Sequence, residues 1–200
     1  MGRLLLSTGP CEPNAPVTRV GGWPLAPEGT PWPKCRTCQK HMLFLAQARL
    51  YEVGAPDVAD GLLLMFQCAN TDNQCEQWLP DRGGNAAIRT PTKALAILHP
   101  PFGNTQLPSI EGTSLAQFQD VHGYADTARF APGRVLGQIG GVPAWIHGDQ
   151  TPTCTCGRPM RFVVQLENKG GGGLGFGEGG WGYGFVCTAC PTEARFLWQR

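Results

Sequence analysis

A close pair of cysteines, followed at fixed distances by methionine, phenylalanine and glutamine, occurs twice in this chain. The first block is C-R-T-C-Q-K-H-M-L-F-L-A-Q at 35–47, and the second is C-T-C-G-R-P-M-R-F-V-V-Q at 154–165. In both blocks the methionine lies four residues after the second cysteine. A pattern of this length that recurs is typical of an internal duplication.

The similarity extends to both sides of the two blocks. G-G-W-P at 21–24 corresponds to G-G-V-P at 140–143, and F-Q-C at 66–68 corresponds to F-V-C at 185–187, at an offset of about 119 residues. We therefore predict a tandem duplication within a single domain, with repeat 1 at about 15–85, a connecting segment at about 86–133 and repeat 2 at about 134–200. Halves of this size bury too little apolar surface to be stable alone, so we expect them to pack as one pseudo-symmetric body.

The segments next to the cysteines favour β-strands. Residues 42–50 are mostly apolar, and a helix is the alternative there because Leu, Ala, Gln and Arg favour helices. The matching segment contains Phe162, Val163 and Val164, which favour a strand, and equivalent segments should share a conformation. We predict the other strands at 4–6 (as an edge strand), 61–68, 86–88, 181–187 and 193–198.

One segment has a helical pattern. Ser114 could cap a helix that runs to about His122, with Leu115, Phe118 and Val121 on one face. Elsewhere 28 glycines and 18 prolines interrupt any long helix. The predicted fold class is therefore α+β and β-rich.

Eight of the nine cysteines fall into four short-spaced pairs. In each repeat one pair precedes a predicted strand and the other lies at and after the end of the next strand. If the two strands form an antiparallel hairpin, its open end brings the four sulfurs together. Four thiolates suit a closed, tetrahedral zinc site. We predict two structural Zn²⁺ ions, one bound by Cys35, Cys38, Cys68 and Cys75 and the other by Cys154, Cys156, Cys187 and Cys190.

Several alternatives remain open for these cysteines. They could be reduced core residues, or redox-active thiols, because C-x-x-C also occurs in oxidoreductases. His41 could replace one sulfur in the first site, although its counterpart in repeat 2 is Pro159. Each zinc site could also take one cysteine pair from each repeat.

Composition limits the classes of partner and compartment. The net charge is +1 and 16% of the residues are charged, so we expect no binding to nucleic acid or to anionic membranes. No apolar run is long enough for a transmembrane helix or a signal peptide. We expect a cytoplasmic location, where close cysteine pairs favour metal binding over disulfides.

Other candidate sites are weaker. Cys11 is the unpaired cysteine, and no histidine is placed to activate it as a nucleophile. G-F-G-E-G-G at 175–180 matches a dinucleotide-binding pattern by letter, but a predicted strand follows it where that motif requires a helix. We interpret the glycine-rich stretch at 170–180 as a mobile hairpin loop. No catalytic residues are predicted.

The chain resembles a known family in two stretches. G-G-W-P-L-A-P-E-G-T-P-W-P-K-C-R-T-C with M-L-F-L-A-Q, and Q-I-G-G-V-P-A-W-I-H with P-M-R-F-V-V-Q, are similar to the two blocks of the YwqG-like family, a bacterial domain of unknown function. The resemblance implies an intracellular protein with a duplicated α+β fold and no established catalytic residues. Some members are associated with toxin and immunity loci. The chain departs from the family after the second F-x-x-Q, where Glu167, Asn168 and Lys169 replace an Asp-rich stretch.

Two functions follow as hypotheses. The first is a non-enzymatic, zinc-stabilised protein-binding module, immunity- or antitoxin-like, whose partner is another bacterial protein that resembles a toxin. The second is a small-molecule enzyme of the hydrolase class with its site in the cleft between the repeats. The absence of a convergent acid, base or nucleophile in the sequence favours the first.

Overall fold

A computed structural model describes residues 2–69, 75–101, 114–121, 124, 134–168 and 174–200, with 114–121 described by their backbone. The chain is β-rich. Its twelve strands are β1 (Gly2–Ser7), β2 (Arg19–Val20), β3 (Leu25–Pro27), β4 (Leu43–Arg49), β5 (Leu62–Gln67), β6 (Asn85–Thr90), β7 (Leu95–Ile97), β8 (Ser114–Val121), β9 (Val135–Ile139), β10 (Arg161–Glu167), β11 (Trp181–Val186) and β12 (Ala194–Gln199). The 3-10 turn Leu50–Val53 links β4 to the loop before β5.

Ten of the strands form one antiparallel sheet in the order β12-β11-β10-β9-β1-β8-β2-β4-β5-β6, and β3 pairs with β7 in a small second sheet. We call β2 to β7 the first half and β9 to β12 the second half. The central strands β1 and β8 pair with each other, with Leu5 opposite Phe118. Strand β1 precedes the first half in sequence but pairs with β9 of the second half. Strand β8 precedes the second half but pairs with β2 of the first half.

The two outermost strands of the large sheet, β6 and β12, lie close together, so the sheet folds over on itself. The main core between the halves includes Leu63 and Met65 of β5 and Val164 of β10. Gly184 of β11 makes this close approach possible, because a Cβ there would lie 2.8 Å from Leu63 Cδ2 and 3.0 Å from Met65 Sδ.

Two smaller clusters lie beside the cysteines, one in each half. In the first half, Met42, Phe44 and Phe66 pack with three of the cysteines. In the second half, the cluster includes Met160 and Phe162. The methionine and phenylalanine of the repeated block therefore form the apolar layer under each cysteine group.

Backbone hydrogen bonds recur in the two halves at the same offset as the sequence blocks. The β4–β5 ladder shifts register between Phe44 and Ala46, and the β10–β11 ladder shifts between Phe162 and Val164. Each shift leaves one carbonyl free of the ladder. The Gly21 N–H donates to Leu45 O and the Gly140 N–H donates to Val163 O, each at 2.8 Å. Both glycines belong to the repeated G-G-x-P stretch, which thus supplies a hydrogen-bond donor to the carbonyl that each bulge leaves free.

The structure corrects two predictions of secondary structure. The helix predicted from Ser114 to about His122 was wrong, because Ser114–Val121 is strand β8 and His122 lies outside the described residues. Hydrogen-bonded partners on both sides of β8 outweigh a weak helical preference. The segment around Leu4–Leu6 was predicted as an edge strand but forms the central strand β1.

The glycine-rich segment also differs from its prediction in part. Residues 170–173 lie outside the described residues. Leu174 and Phe176 are buried in the main core and anchor the described part of the segment, whereas Gly175, Glu178 and Gly179 are exposed. As predicted, strand β11 rather than a helix follows this segment.

Candidate metal centres

The first cysteine group lies at the open end of the β4–β5 hairpin. Cys35 and Cys38 precede β4, and Cys68 and Cys75 follow β5. Their four Sγ atoms lie within 4.8 Å of one another. The Sγ atoms of Cys38 and Cys68 are 3.5 Å apart. Antiparallel pairing of β4 with β5 thus brings together two cysteine pairs about 30 residues apart in sequence.

The second group lies at the equivalent end of the β10–β11 hairpin. Cys154 and Cys156 precede β10, and Cys187 and Cys190 follow β11. These four Sγ atoms also lie within 4.8 Å of one another, and those of Cys156 and Cys187 are 3.7 Å apart. The structure therefore assembles the two predicted groups within the halves, and the alternative in which each site takes one pair from each repeat was wrong.

A tight turn before each hairpin positions the first cysteine pair. The Cys35 N–H donates to Lys40 O at 2.9 Å, and the Cys154 N–H donates to Arg158 O at 2.8 Å. The residue after the second cysteine has a positive φ in both turns, 60° at Gln39 and 83° at Gly157. A left-handed residue at this point lets the turn close whether one or two residues separate the cysteines.

Backbone groups also hold the second cysteine pair. The Cys68 N–H donates to Gly84 O at 2.8 Å, and a Cβ on Gly84 would lie 1.9 Å from Cys75 O. In the second group, the Cys190 N–H donates to Cys187 Sγ at 3.3 Å. An amide that donates to sulfur stabilises the thiolate form, which is the form that binds metal.

Within each group, one cysteine has a lowered pKa and another has a raised pKa. Burial raises the pKa of the Cys38 thiol, but hydrogen bonds from the Lys40 N–H and the neighbouring thiols outweigh it and lower the pKa to about 7. Burial raises the pKa of Cys75 to about 11.

The second group has the same division. Burial opposes ionisation of Cys187, but the N–H groups of Cys190 and Ala189 lower its pKa to about 7. Hydrogen bonds with Cys156 and Cys154 raise the pKa of Cys190 to about 12. Four adjacent thiols cannot all ionise near neutral pH unless a cation offsets their charge.

The sulfur spacing suits a single tetrahedral ion. With metal–sulfur bonds of about 2.3 Å, tetrahedral geometry separates sulfurs by about 3.8 Å, close to the 3.5 Å and 3.7 Å contacts found here. A tetrahedral set of four sulfurs is typical of zinc or iron. The two sites differ in exposure. Three cysteines of the first group are buried and Cys38 is half-buried, whereas Cys156 of the second group is exposed.

The other candidate residues lie apart from these groups. His41 is not part of the first group; its backbone forms an isolated bridge with Lys34, as Pro159 does with Thr153. Cys11 belongs to neither group. Within the described part of the chain, the two cysteine groups are the clusters of three or more His, Cys, Asp or Glu side chains that could hold a metal ion.

Sequence reasoning missed one residue that contacts a cysteine group. Arg89 in β6 of the first half donates from NH1 to the carbonyl oxygen of Cys187 at 2.9 Å. Nothing in the local sequence of β6 indicates this contact, because it depends on the folding-over of the sheet.

Comparisons with known proteins give no family assignment. No family model matches the chain, and no curated protein matches it. Among the described residues, no helix is both long and apolar enough to cross a membrane.

Proposed function

We propose that each cysteine group binds one structural zinc ion and that the protein is a non-enzymatic, protein-binding module. The observation that carries the metal assignment is the presence of two groups of four Sγ atoms, each within 4.8 Å, on equivalent hairpin ends. Four sulfur ligands leave no open position for a substrate, which favours a structural role. The bound ion would supply the cation that lets all four thiols ionise, and the cysteines would hold both ends of the hairpin.

Elemental analysis and native mass spectrometry of the full-length protein test this assignment. We expect two equivalents of zinc and no iron. Cys38→Ser and Cys156→Ser should each reduce the content to about one. A protein purified with iron at both sites would contradict zinc, and a metal-free protein with all thiols reduced would contradict metal binding altogether.

The recurring hydrogen bonds support a tandem duplication as the origin of the fold. Arg19 donates to the carbonyl of Trp23, and Gln138 donates at 3.0 Å to that of Val142. Arg19 and Gln138 are 119 positions apart, as are the two acceptors. In both halves a side chain from the strand before the G-G-x-P loop thus holds the third residue of that loop, although the side chains differ.

The same loops support a protein-binding role. Their third residues are exposed, Trp23 by 36% and Val142 by 80%, while the loop backbone is held by buried polar side chains. Exposed apolar residues on a fixed backbone can bind a partner with little loss of conformational entropy. A bacterial, toxin-like partner and membership of the YwqG-like family rest on the sequence resemblance and stay predictions. A cytoplasmic location, expected from the lack of a long apolar run, also stays a prediction.

A pull-down experiment tests protein binding. The purified wild-type protein and its variants are each used as bait in extracts of the source cells. We expect the wild-type protein to retain one stoichiometric partner and the Trp23→Ala/Val142→Ser variant to lose it, with unchanged zinc content. Tyr51→Ser is the matched control, because Tyr51 is 75% exposed but lies in the turn after β4. Retention by the double variant would contradict the role of the loops.

A further inference from the structure

Arg89 links the first half to the second cysteine group. It lies in β6, where it is paired with Leu63 of β5. Its guanidinium donates from NH1 to Cys187 O at 2.9 Å and from NH2 to Ala59 O at 3.2 Å. The first of these bonds joins residues 98 positions apart and crosses between the halves.

The charge of Arg89 has no acidic partner among the described residues. Its side chain is half-buried, and the ion pairs found in the described chain involve other arginines. Burial lowers the pKa of Arg89, whereas the charge of the Cys187 thiolate raises it. The contact that joins Arg89 to the second cysteine group is therefore its hydrogen bond to the Cys187 carbonyl oxygen.

A divalent ion with four thiolate ligands carries a net charge of about −2, which is costly to bury without nearby donors or cations. The second group is the more exposed of the two, with Cys156 at the surface. Its ligand loop between Cys187 and Cys190 is short. A hydrogen bond to the Cys187 carbonyl holds that loop, and the positive charge of Arg89 would offset part of the charge of a metal-loaded site.

We propose that Arg89 is a positioning residue of the second metal site and makes metal retention there depend on contact between the two halves. This inference rests on the proposed zinc sites. The first site has no such dependence on Arg89, so the two sites should respond differently to its substitution.

A hydrogen bond also runs from the second half to the segment beside the first cysteine group. Trp198, which holds the position in β12 that corresponds to Arg89 in β6, donates its backbone N–H to Trp78 O at 3.3 Å. Trp78 lies in the loop that follows Cys75. Each outer strand thus contacts the segment next to the other half's cysteine group, but the charged contact occurs at the second group.

The test uses full-length, zinc-loaded Arg89→Gln and Arg89→Lys, titrated with a chelator at neutral pH. Alkylation of Cys38 and of Cys156, measured by mass spectrometry in the same digest, reports loss of metal from the first and the second site separately. We expect Arg89→Gln to weaken zinc retention at the second site by about 10- to 100-fold and to leave the first site unchanged. Arg89→Lys keeps the charge but loses the paired donors, and should lie between the two.

Arg82→Gln is the control for loss of a positive charge, because Arg82 is exposed and pairs with Glu76 next to Cys75. It should change neither site by more than about twofold. Melting of the metal-free proteins separates positioning from general stability. A metal-site role predicts that Arg89→Gln lowers the melting temperature more in zinc-loaded than in metal-free protein.

Three results would overturn the inference. The first is a chelator titration of Arg89→Gln that superimposes on that of wild type. The second is an equal loss of zinc retention at both sites. The third is an equal lowering of the melting temperature in the zinc-loaded and the metal-free protein. Wild-type protein that binds no zinc would instead reject the proposed metal sites themselves, so the two failures are distinguishable.

Discussion

Gln47 in β4 and Gln165 in β10 each accept a hydrogen bond from the backbone N–H that follows the proline of a G-G-x-P loop. The Leu25 N–H donates to Gln47 Oε1 at 3.3 Å, and the Ala144 N–H donates to Gln165 Oε1 at 2.9 Å. Both glutamines are fully buried. This contact explains why the repeated block ends in F-x-x-Q, since the amide at that position connects the hairpin to the loop.

Gln47→Leu should therefore destabilise the protein. It removes the acceptor for Leu25 and the donor to Val17 O at 2.9 Å, and it leaves those buried groups without partners. We expect a loss of about 1–3 kcal/mol in the free energy of unfolding, measured by urea denaturation. Gln150→Leu is the control at an exposed position and should stay within about 0.5 kcal/mol of wild type. Equal effects of the two substitutions would contradict the structural role of Gln47.

The cysteine groups could be predicted from the sequence because they depend on local hairpins. Two apolar strands joined by a loop pair with each other, and this pairing alone determines which cysteines meet. The strands β4 and β5 and the strands β10 and β11 accordingly form as predicted.

Features that depend on distant pairing could not be predicted in the same way. The segment of β8 has a helical pattern in isolation, and its strand conformation depends on β1 and β2, which are about 100 residues away in sequence. The position of β1 beside β9 and the contact of Arg89 with Cys187 likewise depend on how the two halves come together. No local periodicity encodes these contacts.

Gly184 should be sensitive to added volume, because it lies where β11 packs on β5. Gly184→Val places side-chain atoms against Leu63 and Met65 and should cost about 1–3 kcal/mol or more in unfolding free energy. Gly184→Ala should cost less. Leu63→Ala creates space at the same point, so the cost of Gly184→Ala should shrink in that background. Additive effects in this double-mutant cycle, measured by thermal unfolding, would contradict direct packing of the two halves at Gly184.

An ion pair between the halves should make a small, pH-dependent contribution to stability. Arg161 of β10 lies 2.6 Å from Asp57, and its hydrogen bond lowers the pKa of the Asp57 carboxyl. Both side chains are about half exposed, so the pair should contribute about 0.2–1 kcal/mol. A depressed folded-state pKa gives stabilisation that is present above the unfolded pKa of about 3.9 and is lost as pH falls through the folded value.

Urea denaturation of wild type and Asp57→Asn between pH 7 and pH 2 measures this contribution. The difference between the two proteins should be constant above about pH 5 and should vanish toward pH 2. Arg161→Gln should produce the same loss, and the double variant should show no additional loss. A difference that grows as the pH falls would contradict the assigned sign.

The split pKa values of the first cysteine group predict selective alkylation of the metal-free protein. Cys38 has a pKa of about 7 and is half-buried, whereas Cys75 has a pKa of about 11 and is buried. Because the thiolate is the reactive form, iodoacetamide should modify Cys38 first, with a rate that rises to half its maximum near pH 7. Cys75 should remain unmodified at that pH. Peptide mass spectrometry after short exposures at several pH values measures both rates.

Bound zinc should abolish this selectivity by protecting both Cys38 and Cys75. A metal ion that uses Cys38 as a ligand occupies the thiolate lone pairs, so the zinc-loaded protein should be protected at neutral pH. Acidification should release the metal, because protons compete with it for the thiolates. Cys11 provides an internal control in the same digest, since it belongs to neither cysteine group and its alkylation should not depend on zinc. Alkylation of Cys38 at one rate with and without zinc would show that Cys38 is not a ligand, even if the protein contains metal.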